Sequence, residues 1–216
     1  MIGSTRVAIL HSGLIAVLNG RFPVQELIEI SDALLATPLT VAANSLAAPD
    51  GLDAIAALRA RHGEHMLFGA SDVGTRKDAA AAVAHGAQFL LLQDAPEAVV
   101  RAGHALGILT IPRVTTTDAA QQAALLHCRM AHFYPADAAG PAALATVRRD
   151  WPQMAWIAGG GIDAATLAAY HHAGAQVFTT GNRPLPQLDW QMDTLIRNAR
   201  TLRSALRIGQ QSAENR

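Results

Sequence analysis

The side chains that could do covalent or acid–base chemistry here are few. Lysine occurs once, at Lys77, and cysteine once, at Cys128; every other basic side chain apart from histidine is arginine. A mechanism that needs an amine nucleophile must therefore use Lys77 or the N-terminus. A single cysteine leaves no internal disulfide, and a reducing cytoplasm is the expected setting. Among groups that titrate near working pH, His132 stands out. It lies in Met130-Ala131-His132-Phe133-Tyr134-Pro135-Ala136-Asp137, which reads as a buried strand stopped by a proline. Alternation puts Met130, His132 and Tyr134 on one face. Two readings of His132 are open. It polarises a keto oxygen or moves a proton, or it is a buried imidazole that fills space and is hydrogen-bonded in the core.

Asp72 and Arg113 follow the third and fifth strand candidates and can face His132 from there. In one reading Asp72 orients or charges His132 while Arg113 binds a carboxylate bidentately. In the other they are an ion pair between loops, worth little to stability. Late in the chain, Gly160 and Gly161 follow one strand candidate, and Gly181-Asn182-Arg183 follows the next. Gly160, Gly161, Gly181 and Asn182 form either a phosphate cradle, with Arg183 beside it, or tight turns. Metal ligation is not expected: His171 and His172 are adjacent and point apart on a helix, and His62 and His65 flank a loop. No cofactor is expected either.

Short apolar runs position these groups. They read as strands over residues 14–18, 39–43, 66–69, 88–92, 108–111, 130–134, 156–158 and 176–179. Helical patterns alternate with them over 22–36, 52–61, 75–85, 96–106, 117–127, 138–149, 163–172 and 188–206, with Thr75 and Asp163 as candidate caps. This rhythm predicts an α/β fold, a (β/α)8 TIM barrel in one domain over 1–206, with a polar tail over 207–216. An open doubly wound sheet is the rival; glycine turns after the last two strands, where barrels hold phosphate, favour the barrel. The formal net charge is zero and no basic stripe appears, which argues against nucleic acid as a partner. No apolar run is long enough to span a bilayer, and that in Met1–Leu10 is too short for a signal peptide.

Several stretches are similar to a known family: Phe68-Gly69-Ala70, His85-Gly86-Ala87-Gln88-Phe89, Ile111-Pro112, Phe133-Tyr134-Pro135-Ala136-Asp137, Gly160-Gly161-Ile162 and Ala173-Gly174-Ala175. They resemble the 2-keto-3-deoxy-6-phosphogluconate and 2-keto-3-deoxy-6-phosphogalactonate aldolases, class I aldolases on this barrel. The resemblance covers nearly the whole chain, and Asn44-Ser45 with Pro49-Asp50 looks more like the galactonate branch. It implies a cytoplasmic homotrimer that cleaves a phosphorylated keto sugar acid to pyruvate and glyceraldehyde 3-phosphate.

Matched residue by residue, the resemblance also implies a changed site. The family's Schiff-base lysine falls at His132 and its general acid/base glutamate at about Thr40, with no acidic residue between Asp32 and Asp50. The arginine expected to hold the substrate carboxylate falls at Asn19. A glycine becomes Arg113 and a threonine becomes Asp72. Imidazole cannot form the protonated imine that serves as electron sink. The expectation is a homologue that binds a small phosphorylated 2-keto acid or sugar acid through Asn19, Thr40, Gly160, Gly161, Gly181, Asn182 and Arg183. His132, Asp72 and Arg113 would be its reacting groups, with imine-based cleavage lapsed. The alternative is a non-catalytic pseudoenzyme that binds the same anion as a sensor or partner protein.

Overall fold

The computed structural model describes residues 2–18, 22–94, 96–181 and 192–214. The chain begins with α1 (Ile2–Ser12), β1 (Leu14–Leu18), α2 (Val24–Leu35), β2 (Val41–Ser45), α3 (Gly51–His62), β3 (Leu67–Val73) and α4 (Arg76–Ala84). It continues through β4 (Phe89–Leu92), α5 (Glu97–Ala105), β5 (Leu109–Ile111), β6 (Arg113–Val114) and α6 (Thr117–Leu125). Then come β7 (Met130–Phe133), α7 (Ala136–Ala139), α8 (Pro141–Arg149), β8 (Ala155–Gly159), α9 (Leu167–His172), β9 (Val177–Thr180) and α10 (Met192–Glu214).

The strands pair in parallel, in the order β5-β4-β3-β2-β1-β9-β8-β7-β6. β5 and β6 are two halves of one stave, interrupted by Pro112, which has no N–H to give the ladder. β5 pairs with β4 and β6 with β7, while the His132 N–H donates to the Pro112 carbonyl at 2.9 Å. The chain itself thus closes the ring, and the result is a (β/α)8 barrel in one domain.

Alternation along each strand divides the apolar residues into two cores. Met130 joins Ile15, Val41, Phe89, Ile111 and Ile157 inside the barrel, whereas Ala131 and Phe133 join the shell between sheet and helices. α4 starts as its sequence predicts: the Asp78 N–H donates to Thr75 Oγ1 at 3.1 Å, and Asp78 Oδ2 accepts from the Thr75 N–H at 2.9 Å. This reciprocal cap satisfies two donors that would otherwise be orphaned.

Several elements depart from the expected outline, among them α9, which starts at Leu167 with Thr166 before it rather than at 163. β2 starts at Val41 rather than Leu39, because the Leu39 N–H is taken by Thr37 Oγ1 at 3.2 Å and is lost to the ladder. β3 runs on past Gly69 to Val73, with a register irregularity between Ala70 and Val73 and φ of 58° at Asp72. The helical stretch 138–149 divides at Gly140, whose φ of 80° breaks the helix before Pro141 starts α8. α10 continues to Glu214, past the expected helix end at Leu206.

α1 was not expected. Its apolar residues form no stripe, yet Ile9 is fully buried and packs into the barrel interior with the strand residues named above. Replacing Ile9 by Ala leaves a void at the base of that core, and the transfer and cavity contributions together are expected to cost about 3 kcal/mol. Chemical denaturation measures it; a loss below about 0.5 kcal/mol would mean that α1 contributes nothing to the core.

Candidate functional site

A cavity of about 410 Å³ opens at the C-terminal ends of the strands, where barrels carry their chemistry. His132, Asp72, Arg113, Gly160, Gly161 and Gly181 all line it, together with Ser71, Tyr134, Asp137 and Thr179. Thr40 is a correction. It lies exposed just before β2, at the opposite end of the barrel, where its carbonyl accepts from the Leu67 N–H at 2.8 Å. Asn19, Asn182 and Arg183 lie outside the described residues.

His132 sits on the inward face of β7, 6% exposed, with ring Nε2 and Thr179 Oγ1 at 3.0 Å. Gly159 on β8 lies between them, in register with Thr179. A Cβ at Gly159 would overlap both the Thr179 hydroxyl and His132 Nε2, so the hydrogen bond exists because position 159 has no side chain. Burial first, and the nearby Arg113 charge after it, together push the imidazole pKa down from 6.5 to about 3. The ring is neutral at physiological pH. The expected charging of His132 by Asp72 is not what the geometry provides: the ring's partner is a hydroxyl.

Asp72 is held elsewhere. Its Oδ2 accepts from Ser45 Oγ at 2.5 Å and from Ser71 Oγ at 3.4 Å, and its Oδ1 lies 3.9 Å from Arg113 Nη2. The Arg113 and Asp72 side chains are 28% and 32% exposed. A separation of 3.9 Å at that exposure gives a weak pair, worth under about 1 kcal/mol. Arg113 also lies over Tyr134, its guanidinium carbon 4.8 Å from the ring centroid. Its buried Nε has no hydrogen-bond partner among the described residues. The guanidinium is therefore oriented but not saturated.

The glycine turn after β8 makes room for protein atoms as well as lining the cavity. The Tyr134 ring and Pro135 pack where a Gly160 side chain would go, and Asp137 packs where a Gly161 side chain would go. The Asp137 N–H donates to the Gly160 carbonyl at 3.2 Å. An anion resting on this turn meets a carboxylate beside it.

Lys77 is exposed on α4 and is not among the cavity's lining residues. Among the described residues no group of three His, Cys, Asp or Glu side chains could hold a metal ion, and no helix is long and apolar enough to cross a membrane. Sequence reasoning missed Thr179, Ser45 and Asp137. Thr179 had a signal, since it alternates with buried Val177 on a strand ending at the mouth. Tyr134, which alternation puts on the face of His132, is half-buried and lines the cavity.

Two expectations follow from the buried ring. Gly159→Ala forces Thr179 or His132 to move and should cost about 1–3 kcal/mol in chemical denaturation; a neutral result would refute the close approach. The unfolded chain protonates His132 below its ordinary pKa of 6.5, whereas the folded chain does so only near 3. Stability should therefore fall as pH drops from 6.5 toward 3, with this ring contributing up to about 1.4 kcal/mol per pH unit. Parallel denaturation series should show a shallower slope in His132→Gln.

Comparison with known proteins agrees with this architecture. A curated relative described as a probable 2-dehydro-3-deoxy-6-phosphogalactonate aldolase, from Rhizobium meliloti (strain 1021), is 28% identical over 170 residues, covering 78% of this chain and 80% of the relative. A solved structure described as native KDPGal superposes with a TM-score of 0.87 at 22% identity, over 92% of this chain and 96% of the other. The 2-keto-3-deoxy-6-phosphogluconate aldolase of Zymomonas mobilis ZM4, solved with 3-phosphoglycerate, gives 0.85 at 18% identity, over 94% and 96%. At those identities the two structures speak for the fold alone. The family model described as KDPG and KHG aldolase matches residues 9–194, which is most of the sequence, and the chain belongs to that family.

Proposed function

We propose that this chain binds a small 2-keto acid at the mouth of its barrel and does so without forming an imine. The observation that carries the reading is the pairing of Arg113 with His132. The two are Cα partners across β6 and β7, and both line the cavity. Neighbouring strands lie about 4.8 Å apart, so a carboxylate held by Arg113 brings the adjacent carbonyl toward the imidazole. Arg113 Nε, buried and unpartnered among the described residues, is a donor in search of an acceptor. Where the family resemblance calls for an amine there is a neutral ring, and Lys77 stands outside the cavity. Imidazole cannot supply a protonated imine.

The names of the relatives favour a phosphorylated sugar acid as the ligand's full identity. Gly160, Gly161 and Gly181, with Asn182 and Arg183, would then hold the phosphate. The carboxylate of Asp137 beside Gly161 opposes a second anion there, so the carboxylate is assigned to Arg113 and the phosphate is kept as a second reading. A non-catalytic role has its own support: a ring that stays neutral down to about pH 3 is a poor proton acceptor. The family reading makes the protein a cytoplasmic homo-oligomer, a trimer by resemblance, that needs no cofactor.

The test is pyruvate binding with and without borohydride. Intact-mass spectrometry should show no reduced adduct, and calorimetry should show binding that weakens roughly tenfold or more in Arg113→Ala. A pyruvate adduct on Lys77, or an affinity unchanged in Arg113→Ala, overturns the proposal. Release of pyruvate from a 6-phosphorylated keto sugar acid separates the two roles: turnover that disappears in His132→Ala assigns chemistry to the ring, and no turnover in the unmodified protein favours the non-catalytic role.

A further inference from the structure

We propose that the Thr179 hydroxyl fixes the tautomer of His132, so that the ring presents an N–H to the cavity and selects a ligand with a carbonyl oxygen there over one with a hydroxyl. This rests on the keto-acid reading above and adds the group that sets its specificity.

The argument is an accounting of hydrogens. Thr179 is 5% exposed, and among the described residues the partner of its hydroxyl is His132 Nε2, at 3.0 Å. A buried hydroxyl whose hydrogen goes unused is costly. If the ring donated to Thr179, that hydrogen would have no acceptor among the described residues. If Thr179 donates to Nε2, one contact satisfies both groups. Nε2 is then the lone-pair nitrogen, and a neutral imidazole must carry its proton on Nδ1.

The surroundings hold this arrangement. Gly159 lets the two side chains meet, since any Cβ there would overlap both. Burial keeps the ring uncharged. Among the described residues, the charged groups lining the cavity are Arg113 on β6, Asp72 on β3 and Asp137 on α7, and the phenol of Tyr134 follows β7. Asp72 is committed to Ser45 and Ser71. What a ligand meets beside Arg113 is therefore a second donor.

A 2-keto acid suits two adjacent donors, because its carboxylate and its carbonyl oxygen both accept. A 2-hydroxy acid can accept the imidazole N–H as well, yet its own hydrogen then faces donors. The opposite tautomer would invert this preference, so one hydroxyl on β9 decides which oxidation level of the ligand fits. Thr179 is in this sense a positioning residue that acts through His132.

The tautomer can be read on the unliganded protein, apart from whether keto acids bind. Long-range ¹H–¹⁵N correlation at pH 7, with the His132 signals assigned by their loss in His132→Gln, should show the proton on Nδ1. Thr179→Ser should keep that pattern, and the isosteric Thr179→Val should lose it. Calorimetry with pyruvate and lactate should show a preference for pyruvate that falls roughly fivefold in Thr179→Val and is retained in Thr179→Ser. A proton on Nε2 in the unmodified protein, or an unchanged tautomer and preference in Thr179→Val, overturns the proposal. Absence of pyruvate binding, with the proton on Nδ1, sinks the keto-acid reading and the selectivity together.

Discussion

A side chain wholly withdrawn from water must be neutral or be matched by an opposite charge. At position 132 the barrel interior offers a hydroxyl and a neighbouring arginine but, among the described residues, no carboxylate against the ring, so imidazole stays there uncharged. Much of the site follows from that. Position 159 has no side chain because the hydrogen bond needs the space. Arg113, not the ring, carries the positive charge that an anionic ligand would meet. No lysine is among the described residues that line the cavity, although the fold around it is the family's.

Magnitudes decide how Arg113 is read. Its contact with Asp72 is long and part-exposed, and such pairs contribute a few tenths of a kcal/mol up to about one. Charge-assisted hydrogen bonds to a well-placed carboxylate are worth about twice that or more. An incoming anion can therefore compete with Asp72 for the guanidinium, while Tyr134 keeps the plane of the guanidinium in place. Asp72 acts as a holder of the mouth, tying β2 to β3 through Ser45.

The parts of this fold that were legible in the sequence are those governed by local periodicity. Alternation placed Met130 and His132 inward on β7, and Thr75 announced the start of α4. Where a contact depends on which strands become neighbours, the sequence is mute. The bond between His132 and Thr179 requires that β7 and β9 both flank β8 and that position 159 between them carry no side chain. α1 escaped for a related reason: Ile9 meets the barrel interior at its base, so the helix needs no amphipathic stripe. Thr40 was assigned to the site by matching to the family's glutamate, whereas its place just before β2 sets it at the end of the barrel away from the mouth. The backbone at Asp72 departs from the ordinary strand region where β3 shifts its pairing with β4.

The hydrocarbon filling of the barrel has one more consequence. Among the described residues, Ile9, Ile15, Val41, Ile111, Met130 and Ile157 leave no chain of polar groups running through the interior from the mouth to the opposite end. The route to the imidazole that this filling leaves among the described residues is the open end of the vessel. Whatever occupies that opening is also its stopper, and while it stays the ring is sealed off from the proton reservoir of the solvent.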